Sequence, residues 1–139
     1  MIAEIQPSFA SHTALSRKVE YHLGKIDEGN ARVLYTSTGS DLFSFPGDMR
    51  LVSQLNDRVK LPYSEITLSL YPGENLTDEQ WLALSQEYLR EMGYEHACYA
   101  VILNSDKAHS HVHILTTTID EDGKHISSSN NYALSLIHI

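Results

Sequence analysis

Cysteine is nearly absent from this sequence, basic residues are few, and no apolar run approaches the length of a membrane span. With Cys98 as the single cysteine among 139 residues, an oxidised scaffold stapled by disulfides is excluded. Cys98 reads instead as a small apolar side chain beside Tyr99 and Val101. Crossing a bilayer takes about eighteen or more consecutive apolar residues, and none are found; the opening MIAEIQPSF also has neither a basic leader nor a long apolar core, so a cytosolic location is expected. Ten Lys and Arg against 18 Asp and Glu give a formal charge of -8. That balance weighs against a nucleic-acid partner, because phosphate binding draws on a basic surface.

What is present fits one globular domain. The chain is 42% apolar and 20% charged, and a chain of this size buries roughly two thirds of the surface its unfolded form exposes. Ile2 to Ile5 reads as an edge strand. A helix is expected from Ser11 or Thr13, with Leu15, Val19, His22, Leu23 and Ile26 at helical spacing, Gly24 weakening its end and Tyr21 off the apolar stripe. Arg32 to Ser37 reads as a short strand, Ser40 to Gly47 as loop, and Asp48 to Val59 as a second helix through Met49, Val52, Leu55 and Val59.

Glu65 to Tyr71 alternates cleanly, with Ile66, Leu68 and Leu70 on one face and Thr67, Ser69 and Tyr71 on the other. Thr77 and Gln80 form a capping box opening a helix with Trp81, Leu84, Tyr88 and Met92 as its buried stripe, and Gly93 stops it. Cys98 to Leu103 and Ser110 to Ile119 read as strands joined by the polar loop Asn104 to His109, with a turn at Asp120 to Lys124. The pattern predicts an α+β fold, a central antiparallel sheet with helices packed mainly on one face.

The stretch NSDKAHSHVHI, Asn104 to Ile114, carries the chemistry. Strand side chains alternate between faces, so His111 and His113 share one face while Val112 and Ile114 take the other. Two neutral imidazoles side by side are half of a metal site. Asn104, Asp106 and His109 are the nearby candidates for a third ligand, and antiparallel pairing of the two flanking strands brings Asn104 beside the histidines.

The start MIAEIQP, the helix end VEYHLGK at Val19 to Lys25, the strand ITLSLYPGE at Ile66 to Glu74, the NSDKAHSHVHI run and IDEDGKHI at Ile119 to Ile126 occur in an order that resembles the relaxase and mobilization nuclease family of plasmids. That family belongs to a superfamily named for a His-hydrophobic-His metal motif, and shares a fold with replication initiators. The resemblance implies that Tyr21 is the nucleophile, that Ser69 contacts DNA near the nick, and that His111 and His113 hold a divalent metal, Mg²⁺ or Mn²⁺; Arg17, Lys18 and Lys25, which flank Tyr21, are by their charge the candidate DNA contacts.

Asn104 stands where the family has a third metal histidine. Its amide oxygen suits Mg²⁺ or Mn²⁺, so the site is either an oxygen-richer variant, with Asp106 as a further candidate ligand, or partly degenerate. Without the resemblance, Tyr21 reads as a packing residue and Ser69 as a solvated hydroxyl.

The implied activity is site- and strand-specific nicking and transfer of plasmid DNA, single-stranded or supercoiled, at an origin of transfer, with accessory mobilization proteins as further partners. A free phenol titrates near pH 10 and needs activation to attack a phosphodiester. Two rivals stay open: an inactive relative that binds single-stranded DNA or a partner, and a replication initiator whose tyrosine follows the histidines, here Tyr132. No lysine follows Tyr132 as initiators have it. Asp78, Glu79, Glu87, Glu91, Glu95 and the turn Asp120 to Asp122 are expected away from the metal face. Glu20, Asp27 and Glu28 nonetheless leave little basic surplus around Tyr21, so tight duplex binding by this chain alone is not expected. Finally, LSLIHI at Leu134 to Ile139 matches an in-frame translation of a transposase adapter used in library preparation. Residues 1–133 are therefore expected to be the N-terminal part of a truncated catalytic domain, and 134–139 a non-native tail.

Overall fold

A computed structural model describes residues 1–71, 73–105 and 110–126. Asp106, His109, Tyr132 and the expected tail at 134–139 lie outside the described residues. The elements run β1 (Ile2–Ile5), α1 (His12–Asp27), β2 (Ala31–Thr36), α2 (Phe45–Ser53), β3 (Tyr63–Ser69), α3 (Asp78–Glu91), β4 (Ala97–Asn104) and β5 (His111–Asp120). The five strands form one sheet in the order β1-β3-β5-β4-β2, every neighbouring pair antiparallel. This is the α+β architecture expected.

Alternation along the central strands sorts the core into two layers. Val101, Leu103, Val112, Ile114, Ile66 and Leu68 face α3, which brings Trp81, Leu84, Tyr88, Leu89 and Met92. Cys98, Ala100, Ile102 and Leu115 face the other way, against Leu15 and Val19 of α1 and Phe45 and Met49 of α2. Two helices thus share one face, and α3 alone covers the other. Its acidic residues Asp78, Glu79, Glu87 and Glu91 lie on the side of the sheet away from the histidines. Among the described residues no helix is long and apolar enough to cross a membrane.

Local signals set the helix ends. Ser11 caps α1 through the Ala14 amide, and Thr77 and Gln80 close a reciprocal box at the start of α3. Gly93, just past α3, takes φ 86°, which a residue with a Cβ adopts only under strain. The second helix starts earlier than its sequence pattern implied, at Phe45 rather than Asp48, and ends at Ser53. Pro46 fits the first turn, where its missing N–H is not needed, and Phe45 with Met49, one turn apart, supplies the buried contact; Leu55 stays half exposed beyond the helix end. Gly24 lies within α1 rather than at its end.

Candidate active site

Strand register assembles the site row by row. His111 of β5 pairs with Asn104 of β4 on one side and Ser69 of β3 on the other; the next row on this face is Ile102, His113 and Thr67, then Ala100, Leu115 and Glu65. Asn104, Ser69, His111 and His113 therefore crowd one end of the α1/α2 face. Asn104 Nδ2 lies 3.2 Å from His111 Nε2, and the His111 and His113 rings stand edge to face with centroids 4.9 Å apart. Asn104 is only 3% exposed, and its Oδ1 has no hydrogen-bond partner among the described residues.

The 3.2 Å spacing between the Asn104 amide and His111 Nε2 is the observation that tests whether a cation fits. A buried unpaired acceptor costs about 1–3 kcal/mol, and an amide's two ends are assigned from its neighbours. Turned over, Asn104 would aim an oxygen lone pair where His111 Nε2 aims its own, 3.2 Å away. Two ligands at right angles around an ion with bonds of roughly 2.1 Å stand about 3 Å apart. Asn104 and His111 thus stand at the spacing of two neighbouring ligands of a divalent ion of the Mg²⁺ or Mn²⁺ kind.

Helix α1 lies over this end of the face. Its stripe of Leu15, Val19 and His22 is buried, which turns Tyr21 outward to 57% exposure. The Tyr21 ring meets His22 edge-on at 5.4 Å, and the Lys25 ammonium lies 5.8 Å from the Tyr21 ring centre. Arg17, Lys18, Tyr21, His22, Glu65 and His113 line one cleft of about 330 Å³. A larger hollow of about 560 Å³ is lined by Arg58, Leu61, Tyr94 and Ile126 among others and holds none of the candidate residues; size does not identify the site.

Two residues at the centre of the cleft were not singled out from the sequence. Glu65, 8% exposed, receives the Lys18 ammonium on Oε1 at 2.9 Å, and on Oε2 His22 Nε2 at 3.2 Å and His113 Nδ1 at 3.1 Å. Burial alone would push this carboxyl up, but the hydrogen bonds from His113, His22 and Lys18 outweigh it and hold the group well below the ordinary carboxylate range. An ionised carboxylate only accepts, so His113 and His22 each donate to it.

Among the described residues, His22, Glu65 and His113 also form a group of side chains able to ligate a metal, their ligand atoms lying within 4.8 Å of one another. Here, however, both imidazole nitrogens already serve Glu65, and the Lys18 ammonium occupies the same carboxylate, so a dication would face a fixed positive charge. The signal for Glu65 was its parity with Thr67 and Ser69, and for His22 its place one turn after Lys18.

Residues 21–136 match the family model for relaxase, MobA/VirD2-like, nuclease domain. No curated protein and no solved structure matches the chain.

Proposed function

Since this chain belongs to the relaxase family through its MobA/VirD2-like nuclease domain, we propose that it nicks one strand of plasmid DNA at an origin of transfer and holds the 5′ end covalently on Tyr21 during mobilization. The observation that carries this reading is a shared cleft: Tyr21, exposed and backed by Lys25, opens onto the same 330 Å³ space as His113.

The step is a transesterification. The Tyr21 oxygen forms a bond to phosphorus as the bond to the 3′ oxygen breaks, and the proton lost by the phenol is matched by one taken up by the leaving oxygen, giving a 3′ hydroxyl and a 5′ phosphotyrosine. The ester is conserved, so reversal religates the strand after transfer. Arg17 and Lys18 on the cleft wall offset the charge of the incoming backbone, and Lys25 beside the Tyr21 ring adds positive charge next to the nucleophile. Ser69, level with His111 across the sheet, offers a hydroxyl to the strand near the nick. Held by His111, His113 and Asn104, Mg²⁺ or Mn²⁺ would supply charge stabilisation for the scissile phosphate. A cytoplasmic setting and accessory mobilization proteins complete the proposal.

Incubation with Mn²⁺ and a supercoiled plasmid carrying the cognate origin gives a denaturant-stable protein–DNA adduct with the native chain and none with Tyr21→Phe. Equal adduct from both proteins removes Tyr21 as the nucleophile. Loss on Tyr132→Phe instead identifies the replication-initiator arrangement, and DNA binding without any adduct identifies a non-catalytic relative.

A further inference from the structure

Resting on the relaxase reading, we propose that Glu65 and His22 are positioning residues, a buried clamp that ties the helix carrying Tyr21 to the strand carrying His113 and sets the nucleophile against the metal-binding face. Three donors from two elements converge on one carboxylate. Lys18 and His22, one turn apart on α1, reach Glu65 at 2.9 and 3.2 Å, and His113 of β5 reaches it at 3.1 Å. Glu65 itself stands on β3, so α1, β3 and β5 meet at a single side chain.

The direction of these bonds fixes more than position. Because Glu65 accepts, the His113 proton sits on Nδ1 and leaves the Nε2 lone pair on the far side of the ring, free for a cation; an outer carboxylate of this kind orients a ligand imidazole and strengthens it. Thr67 Oγ1, 3.3 Å from the same Nδ1, accepts alongside Glu65 and holds the ring from its own strand.

Packing does not account for His22. It continues the Leu15 and Val19 stripe at 1% exposure, where its Nδ1 has no partner among the described residues. An apolar side chain would fill the position without burying an unsatisfied nitrogen. What leucine could not do is reach Glu65, and with that bond goes the restraint on Tyr21, the next residue on the helix, whose ring lies against the His22 ring.

The two roles separate in His22→Leu and Glu65→Gln, studied by titration with Mn²⁺ alone and by ¹⁹F spectra of fluorotyrosine-labelled protein, the Tyr21 resonance being assigned with Tyr21→Phe. In the native chain Mn²⁺ is expected to broaden the Tyr21 resonance. His22→Leu is expected to stay folded while losing most of that broadening and weakening Mn²⁺ binding about threefold. Glu65→Gln is expected to weaken Mn²⁺ binding 10–100-fold, on the order seen for outer carboxylates of metal sites. Val19→Ala, a packing control on the same helix, lowers stability and leaves both readouts in place.

Native affinity and broadening in both variants would overturn the clamp. So would complete loss of Mn²⁺ binding in His22→Leu, equal to that in His113→Ala, since His22 would then be a ligand. Undiminished Mn²⁺ binding in the His111→Ala, His113→Ala double variant is a separate failure, that of the sheet-face metal itself.

Discussion

The two faces of the sheet are cut from the same strands and end up with different chemistry. On the α3 face, Trp81, Tyr88 and Leu89 close completely over Val101, Val112 and Ile114. On the other face, the α1 and α2 core over Ala100, Ile102 and Leu115 gives way, toward one end, to Glu65, Thr67, Ser69, Asn104, His111 and His113. One face is saturated with apolar contact and the other gathers polar groups around a cleft. Stability and reactivity are thereby held apart by the thickness of one sheet, because alternate residues of a strand answer to different neighbours.

The sharpest way to break this contrast is to truncate one residue on each side. Trp81→Ala is expected to cost about 3–5 kcal/mol in a denaturant titration, since the ring is fully buried. His111→Ala, only partly buried, is expected to cost about 1 kcal/mol or less while removing Mn²⁺ binding. A comparable stability loss from both would mean that the site end is as much a part of the core as the α3 face.

The faces also differ in the pH at which they weaken. Glu65 is held below its ordinary value of 4.5, burial opposing and the bonds from His113, His22 and Lys18 prevailing. A folded value below the unfolded one gives stability that is present above about pH 4.5 and lost as the pH falls toward the folded value. Tyr88, on the α3 face, is pushed up from 10.0 to about 12, by burial first and by Tyr94 second. Its contribution is present below about pH 10 and lost as the pH rises toward 12. Denaturation midpoints measured across pH should show a shallower acid limb in Glu65→Gln and a shallower alkaline limb in Tyr88→Phe. Each variant should leave the other limb alone. Tyr88→Phe also removes a buried hydroxyl without a partner among the described residues, so its midpoint at neutral pH should stay level or rise.

The smallest effect concerns a bidentate pair joining α3 to the sheet edge. Arg32 donates to Asp78 at 2.8 and 2.6 Å, with both side chains about half exposed. Arg32→Ala is expected to cost about 0.2–1 kcal/mol and to shrink further in high salt. A larger, salt-insensitive loss would show that the α3 face depends on its rim as well as its core.

Much of this layout was legible in residue order. The period of two put His111, His113 and Ser69 on polar faces, and antiparallel pairing put Asn104 beside His111, as the register confirms. The capping box of α3 and the outward turn of Tyr21 followed from local spacing. Where α2 begins was harder to read, because a proline near its start looks like a loop until Phe45 is known to be buried. Glu65 opened a strand read for its apolar face, and His22 passed for a core residue; nothing local says that a carboxylate on β3 meets an imidazole 43 residues earlier.

By itself, then, the sequence determined the elements, their faces and the family to which the tyrosine and histidines belong, since those depend on periodicity and motif. Which polar groups are buried together was decided only by tertiary structure. The α1 helix, laid across β3 and β5, brings Lys18, His22 and His113 onto Glu65. A buried charge is tolerated only where the fold delivers partners from distant parts of the chain.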